Sequence, residues 1–290
     1  MIQSVSFIGL GAMGWHMASH LTKVSGQVHV WNRNFEKAKE HEQIFGTKAV
    51  CLQQAVQTDI IFSCLPTSQD VESLFKNCSP KQGSIWIDCT SGVPDIGKRL
   101  NQQLKHQGVD YLDAPVSGQT VGAERGTLTV MIGGDQAAFE KARPIIQAFA
   151  DLIEYVGDSG SAFAVKAVNN TLMATHLWAL AEGLSVLKAY GVNLHSAINC
   201  INHSSGKSNI SENIMAQRVL SRNFDKTFAL NLLQKDIGIA IDLITASNLD
   251  LPTLNLIQQQ FNQIHKTDAQ HLDFSAVVKT LEQRNQLELY

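Results

Sequence analysis

Hydrophobic and polar positions change rhythm once along the 290 residues, near residue 160. Before that point short apolar runs alternate with amphipathic stretches. Segments 5–8, 28–31, 60–64, 85–88 and 111–114 read as strands, with helix-like segments between most of them. That alternation predicts a parallel, doubly wound sheet. Segments 127–132 and 152–156, around a helix near 137–149, add two more strands. From 162 to about 191 there is no proline and one internal glycine, Gly183. Leu172, Met173, Leu177, Trp178, Leu180, Leu184, Val186 and Leu187 spread around the helical wheel there, which predicts a long buried helix. About 30 residues at ~1.5 Å rise span about 45 Å, enough to run from one domain into the next. Beyond it the pattern reads as helix on helix. The prediction is a Rossmann-type α/β domain over 1–160 with a doubly wound, mostly parallel sheet, joined by the long helix to an all-α domain over 161–290. Turn residues agree: 16 of the 20 glycines lie at or before Gly160, and five of the six prolines at or before Pro144.

The first strand runs into Gly9-Leu10-Gly11-Ala12-Met13-Gly14, which opens a helix. G-x-G-x-x-G alone is a weak signal, but the strand–turn–helix setting makes it a dinucleotide-binding signature. Gly9 permits the tight turn, Gly11 lets the backbone approach a pyrophosphate, and Gly14 lets the helix pack close to the sheet. The helix N-terminus supplies N–H groups and a positive dipole end for the phosphates. At the end of the second strand, where an NAD site usually carries Asp or Glu for the ribose 2′-OH, the chain reads Val30-Trp31-Asn32-Arg33-Asn34. No carboxylate stands there to repel a 2′-phosphate, and Arg33 offers a planar cation to bind one, so the expected cofactor is NADP, with NAD as the alternative. Loops at the carboxyl ends of strands line the ligand crevice of such a sheet. That makes Leu65 and Pro66 candidates for the cofactor site, and Thr90 and Ser91 candidate hydroxyl donors to the nicotinamide half or a substrate. Cys89, beside them, is a candidate reactive thiol with no adjacent base in sequence.

Charge and composition narrow the classes. The net charge is -3, with 13 basic and 16 acidic residues up to residue 160 and 10 of each after it, so neither half has the basic excess of a nucleic-acid binder. Five cysteines without a C-x-x-C pair suit a reducing cytoplasm. The strand-like start at Val5 leaves no room for a signal peptide, and the 162–191 run is too interrupted by Lys166, Asn169, Asn170, Glu182 and Lys188 to cross a membrane. The ten histidines lack metal-site spacing, so no metal is expected. Ser204-Ser-Gly206-Lys207-Ser208 imitates the end of a P-loop, but Ile201 stands where its first glycine would be.

Inside the long apolar run, Lys166 and Asn170 lie one turn apart on one helix face. Burying a lysine is costly unless it has a partner or a task. It is either a structural partner of a carboxylate or a proton-transfer group, since burial can draw a lysine pKa toward working pH.

Four separated motifs, in order, resemble the 3-hydroxyacid dehydrogenase (3-hydroxyisobutyrate dehydrogenase) family over essentially the whole chain. They are the glycine turn at 9–14, Asp113-Ala-Pro-Val-Ser117-Gly118, the segment from Gly157 to Asn170, and Lys235-Asp236-Ile-Gly-Ile-Ala240. The resemblance implies nicotinamide-dependent interconversion of a small β-hydroxy acid and its semialdehyde, with Lys166 as general acid/base and Asn170 positioning Lys166 or the substrate. It implies that Ser117 and Gly118 hold the substrate carboxylate, that Lys235 reaches over cofactor and substrate, and that the chain forms a homodimer or homotetramer. Asp236 is expected to hold a helix or a neighbouring cation. One departure stands out: the family's signature commonly continues Ser-Gly-Gly, whereas Gln119 follows Gly118 here, putting a side chain into the substrate-binding segment. Two other readings are an imine reductase on the same fold, whose members typically lack the catalytic lysine, and a non-catalytic NADP-binding module, which intact Lys166, Asn170 and Ser117 weigh against. Decarboxylating 6-phosphogluconate dehydrogenase shares the layout but has a much larger helical part.

Overall fold

The computed structural model describes residues 4–290, apart from the side chains of Lys266 and Thr267. It forms two compact units, the first ending at Lys166 and the second running from Ala167 to Tyr290.

The first unit begins β1 (Val5–Ile8), α1 (Gly14–Leu21), β2 (Val28–Trp31), α2 (Phe35–Phe45), β3 (Lys48–Ala49), α3 (Leu52–Ala55), β4 (Ile60–Ser63), α4 (Ser68–Phe75), β5 (Ile85–Asp88) and α5 (Pro94–Lys105). It continues β6 (Asp110–Asp113), β7 (Val116–Ser117), α6 (Gln119–Arg125), β8 (Leu128–Gly134), α7 (Gln136–Ile146) and β9 (Ala150–Gly157), then enters α8 (Ser161–Ala189). The strands form one sheet in the order β3-β2-β1-β4-β5-β6-β8-β7, with β9 paired to β8. Pairing is parallel from β3 to β6 and between β8 and β9; β8 runs antiparallel to β6 and β7. Strands β1, β4 and β5 are buried at every position, because helices cover both faces of a parallel sheet. Alternate residues feed two cores: Phe7, Ile60, Phe62 and Ile87 pack on one side, Ile8, Ile61 and Trp86 on the other. Connections reverse direction between β1 and β4, the switch point where such sheets open a crevice at their carboxyl ends.

Rossmann-type α/β architecture followed by helices is what the hydrophobic rhythm predicts. The two-residue strands β3 and β7 escaped it, being too short to show a period. The long helix, expected to be buried all round, departs from that in part. Ala174, Leu177, Trp178, Ala181 and Leu184 are buried in the core of the second unit, whereas Val168, Leu172 and Val186 are exposed, because the other helices of that unit cover only part of its circumference.

The second unit adds α9 (Leu194–Asn202), a π-helical segment (Ser211–Leu220), α10 (Leu230–Ala246), α11 (Pro252–Phe261), α12 (Lys266–Ala269), a 3₁₀ turn (Phe274–Val277) and α13 (Val278–Asn285). Its core holds Leu177, Trp178, Ile214, Leu233, Ile237, Phe261 and Phe274. Asp273, 1% exposed, ties the connections together by accepting from the backbone N–H of Thr227 and Phe228 and from Ser275. The P-loop-like segment lies in the connection between α9 and the π-helical segment, not after a strand.

A buried histidine fixes α2 against the start of α1. His41 Nε2–H donates to the Trp15 carbonyl (2.9 Å) and Nδ1 accepts from the Thr47 hydroxyl (2.8 Å), between the rings of Trp15 and Phe45. Burial depresses its pKa below 6.5, against a smaller opposing effect of the Trp15 bond. A depressed imidazole contributes stability that is present above the unfolded pKa and is lost as pH falls through about 6.5 and below. The unfolding free energy should therefore drop between pH 7 and 5, and that slope should be shallower in His41→Asn, as measured by urea denaturation across pH.

Candidate active site

The glycine turn leaves the end of β1 with its three glycines under different constraints. Gly9 has φ +97°, and an added Cβ would lie 2.4 Å from the Cys64 carbonyl oxygen; at Gly14 it would lie 2.0 Å from the Gly9 carbonyl oxygen. Both glycines are required by the close approach of backbone. Gly11 is exposed, and nothing lies within 4 Å of an added Cβ, so the space over it is open. No side chain caps the N-terminus of α1; Trp15 N donates to the Gly11 carbonyl (3.1 Å), and the positive end of the helix dipole lies at the turn. An open glycine, an uncapped helix start and a turn locked from below fit a dinucleotide pyrophosphate. The lock is completed by Asn32, whose Oδ1 accepts from Leu10 N (3.1 Å) while its Nδ2 donates to the Asn34 carbonyl. Arg33, next to it, is exposed.

The loops after β4 and β5 are held by a buried carboxylate at the end of β5. Asp88 accepts from Ser63 Oγ (3.0 Å), the Thr90 amide (3.1 Å) and the Tyr111 hydroxyl (2.9 Å). Desolvation raises its pKa although each of these bonds opposes the rise. Thr90 Oγ1 accepts from Leu65 N (3.1 Å), which binds the two loops to each other. The Thr90 hydroxyl is thus committed inside the fold, whereas Leu65 and Ser91 are partly exposed and Pro66 is exposed. Cys89 is buried, and burial pushes its pKa well above 9.0 and that of Cys64 up to about 12, which disfavours the thiolate.

Asp113 ends β6 and is fully buried. Its Oδ1 accepts from Gly160 N (2.8 Å), and its Oδ2 from Ala162 N (3.0 Å) and Phe163 N (3.3 Å), so one carboxyl group caps the first turn of α8. The fit is close, since a Cβ on Gly133 would lie 2.6 Å from Asp113 Oδ2. Burial raises its pKa against the opposing backbone bonds. Four residues on, Ser117 is partly exposed, and Gly118 holds φ +135°, a conformation that L side chains rarely adopt, with the Leu128 methyl 2.9 Å from where a Cβ would lie. Gln119 is exposed with φ +59°, in the left-handed region that costs a non-glycine residue about 1–2 kcal/mol. The backbone therefore keeps a glycine-like conformation where the family pattern has its second glycine.

Lys166 lies in the second turn of α8 and is 8% exposed; Asn170, one turn further, is 4% exposed. Within the second unit Asn170 Nδ2 donates to Asp236 Oδ2 (2.6 Å), and Lys235 Nζ lies 3.0 Å from Asp236 Oδ1. Among the described residues no group of histidine, cysteine and carboxylate side chains could hold a metal ion, and no helix is long and apolar enough to cross a membrane. Asp113 opens one of the family motifs and Asp88 closes a strand, yet neither carries an expected role in the sequence. The available signal was a carboxylate directly after buried apolar residues at a strand's carboxyl end, as in IWID and the last three residues of DYLD.

A glycine turn that fits a dinucleotide pyrophosphate, at the crevice end of a doubly wound parallel sheet, is the arrangement of a dinucleotide-binding protein. Comparison with known proteins carries this further. Residues 4–157 match the NAD binding domain of 6-phosphogluconate dehydrogenase, and residues 160–281 match the NAD-binding domain of NADP-dependent 3-hydroxyisobutyrate dehydrogenase. The chain is 35% identical to 2-(hydroxymethyl)glutarate dehydrogenase of Eubacterium barkeri, over 96% of this chain and 95% of that one. It is 32% identical to 2-hydroxy-3-oxopropionate reductase of Escherichia coli strain K12, over 96% and 97%. A solved 3-hydroxyisobutyrate dehydrogenase of Mycobacterium tuberculosis, with L-serine, superposes with a TM-score of 0.87 at 25% identity, covering 97% of this chain and 99% of that one. The chain belongs to the 3-hydroxyacid dehydrogenase family, and is an NAD(P)-dependent dehydrogenase or reductase acting on CH–OH groups.

Two substitutions test the local assignments. Asp113→Ala should lower the unfolding free energy by roughly 2–3 kcal/mol, because three N–H donors lose their acceptor. Gln119→Gly should leave the denaturation midpoint unchanged or higher, whereas glycine at an ordinary helix position costs about 1 kcal/mol. A clear loss of stability in Gln119→Gly would show that the left-handed backbone carries no strain.

Proposed function

We propose that the protein is an NADP-preferring oxidoreductase that interconverts a small β-hydroxy acid and its semialdehyde, with Lys166 as the general acid/base. The observation that carries this reading is Lys166 itself: a lysine 8% exposed, on a helix whose first turn is pinned by a buried carboxylate. A side chain on a capped, packed helix is held in place, which proton transfer requires. The bound nicotinamide supplies the hydride exchange at the substrate carbon. Lys166 takes the hydroxyl proton during oxidation and returns it to the carbonyl oxygen during reduction. Asn170 orients the reacting group, Ser117 and Gly118 hold the substrate carboxylate, Gln119 borders it, and Lys235 adds positive charge for cofactor and substrate. Residues 1–160 carry the cofactor through Gly9, Leu10, Gly11, Ala12, Met13, Gly14, Asn32, Arg33, Leu65, Pro66 and Ser91, and residues 161–290 are the all-helical substrate and dimerisation domain.

The NADP preference is supported by the exposed Arg33 after β2 and by the absence of a carboxylate at that strand end. The substrate class is supported by the relatives' hydroxy- and oxo-acid activities. Cytoplasmic location is supported by five cysteines that all remain free thiols. A homodimer or homotetramer is supported by the exposed Val168, Leu172, Val186 and Tyr190 in and just after α8, and light scattering of the purified chain measures it.

Assay of a panel of short β-hydroxy acids and semialdehydes with both cofactors should give clearly faster turnover with NADPH or NADP⁺; equal or reversed rates would overturn the Arg33 assignment. Lys166→Ala should lower kcat by about 10²- to 10⁴-fold while NADPH affinity, read by fluorescence titration, stays nearly constant. An unchanged rate in the folded variant would remove Lys166 from the chemistry.

A further inference from the structure

Asp236 is 1% exposed and holds two groups of the proposed site at once, the amide of Asn170 and the ammonium of Lys235. A carboxylate only accepts hydrogen bonds, whereas a carboxamide has a donating and an accepting end of nearly equal shape. The 2.6 Å contact from Asp236 Oδ2 therefore decides which way the Asn170 amide is turned: nitrogen toward α10, oxygen away from it. Asn169 Nδ2 approaches that oxygen at 3.2 Å, consistent with the same orientation. Lys235 precedes Asp236 directly, and adjacent residues of a helix do not face each other. Its ammonium nonetheless folds back to 3.0 Å from Oδ1, so the buried carboxylate is balanced by a cation on one oxygen and an amide on the other.

We infer that Asp236 is a positioning residue, which fixes the Asn170 amide with its oxygen presented as the acceptor for the reacting substrate and holds the Lys235 ammonium beside it. This rests on the role proposed above for Asn170. Without the carboxylate only the 3.2 Å contact from Asn169 opposes rotation of the amide, whose donating end can then turn outward, where it repels the hydroxyl or ammonium hydrogen it should accept.

The test is a double-mutant cycle of Asn170→Ala and Asp236→Ala, with Asp236→Asn as the variant that keeps an acceptor oxygen while losing the charge. Kinetics use the β-hydroxy acid that the unmodified enzyme oxidises fastest, and denaturation is measured on every variant. Asn170→Ala and Asp236→Ala should each lower kcat on the order of 10- to 100-fold with little change in cofactor KM, and the double variant should be no slower than Asn170→Ala. Asp236→Asn should recover most of the Asp236→Ala loss. Independently of activity and of cofactor, the two side-chain N–H protons of ¹⁵N-labelled Asn170 should be widely separated in the NMR spectrum, one shifted downfield by the carboxylate. That separation should collapse in Asp236→Ala. Additive losses, or reduced stability with kcat intact and the amide signals unchanged, would mean that Asp236 only joins α8 to α10, and would overturn the inference while leaving the Asn170 assignment standing. An unchanged kcat in Asn170→Ala would overturn both.

Discussion

The bond set from Asp113 to the first turn of α8 is the interaction on which the proposed chemistry depends. Three backbone N–H groups converge on one buried carboxyl at the end of a central strand, so the helix starts at a fixed height and rotation relative to the sheet. Lys166 is three residues past the last of those donors, less than one turn further along the same helix. Placing the anchor on β6 transfers the rigidity of a sheet to a side chain that lies on a helix. The cost is a carboxyl group held in a dry site, offset by hydrogen bonds and by the positive end of the helix dipole.

The same device recurs twice more, each time at the edge of something that must not shift. Asp88 gathers Ser63, Thr90 and Tyr111 beneath the loops that carry Leu65 and Ser91. Asp273 gathers the connections of the helical unit. Each buried carboxylate stands in for a length of regular secondary structure where the chain has none.

Much of the fold was legible because its signals are local. Parallel strands buried on both faces read as unbroken apolar runs, and the glycines at 9, 11 and 14 mark one turn geometry. The two-residue strands β3 and β7 could not be read, since a period needs more residues than they contain. The exposed line of α8 was likewise hidden: a helix apolar all round looks the same whether its last face is covered by its own chain or not. Within the candidate site, Lys166, Asn170 and Gln119 stood out because each conflicts with its setting, a charge or amide in an apolar run and a side chain in a glycine pattern. Asp88 and Asp113 did not, because partners such as Tyr111 and Gly160 lie 23 and 47 residues away, and sequence spacing carries no trace of a bond at that distance; for Asp236 the adjacent cation was readable, whereas Asn170, 66 residues away, was not.

The unequal crowding of the three turn glycines has a practical consequence. Positions 9 and 14 are packed against backbone, so any side chain there is a lesion of the fold. Position 11 faces open space, and a methyl group added to it would disturb only whatever is brought over the turn. The motif therefore separates into two glycines that belong to the scaffold and one that belongs to the guest. An alanine at residue 11 offers a route to a fully folded, cofactor-free form of the enzyme in which conformation can be studied apart from occupancy.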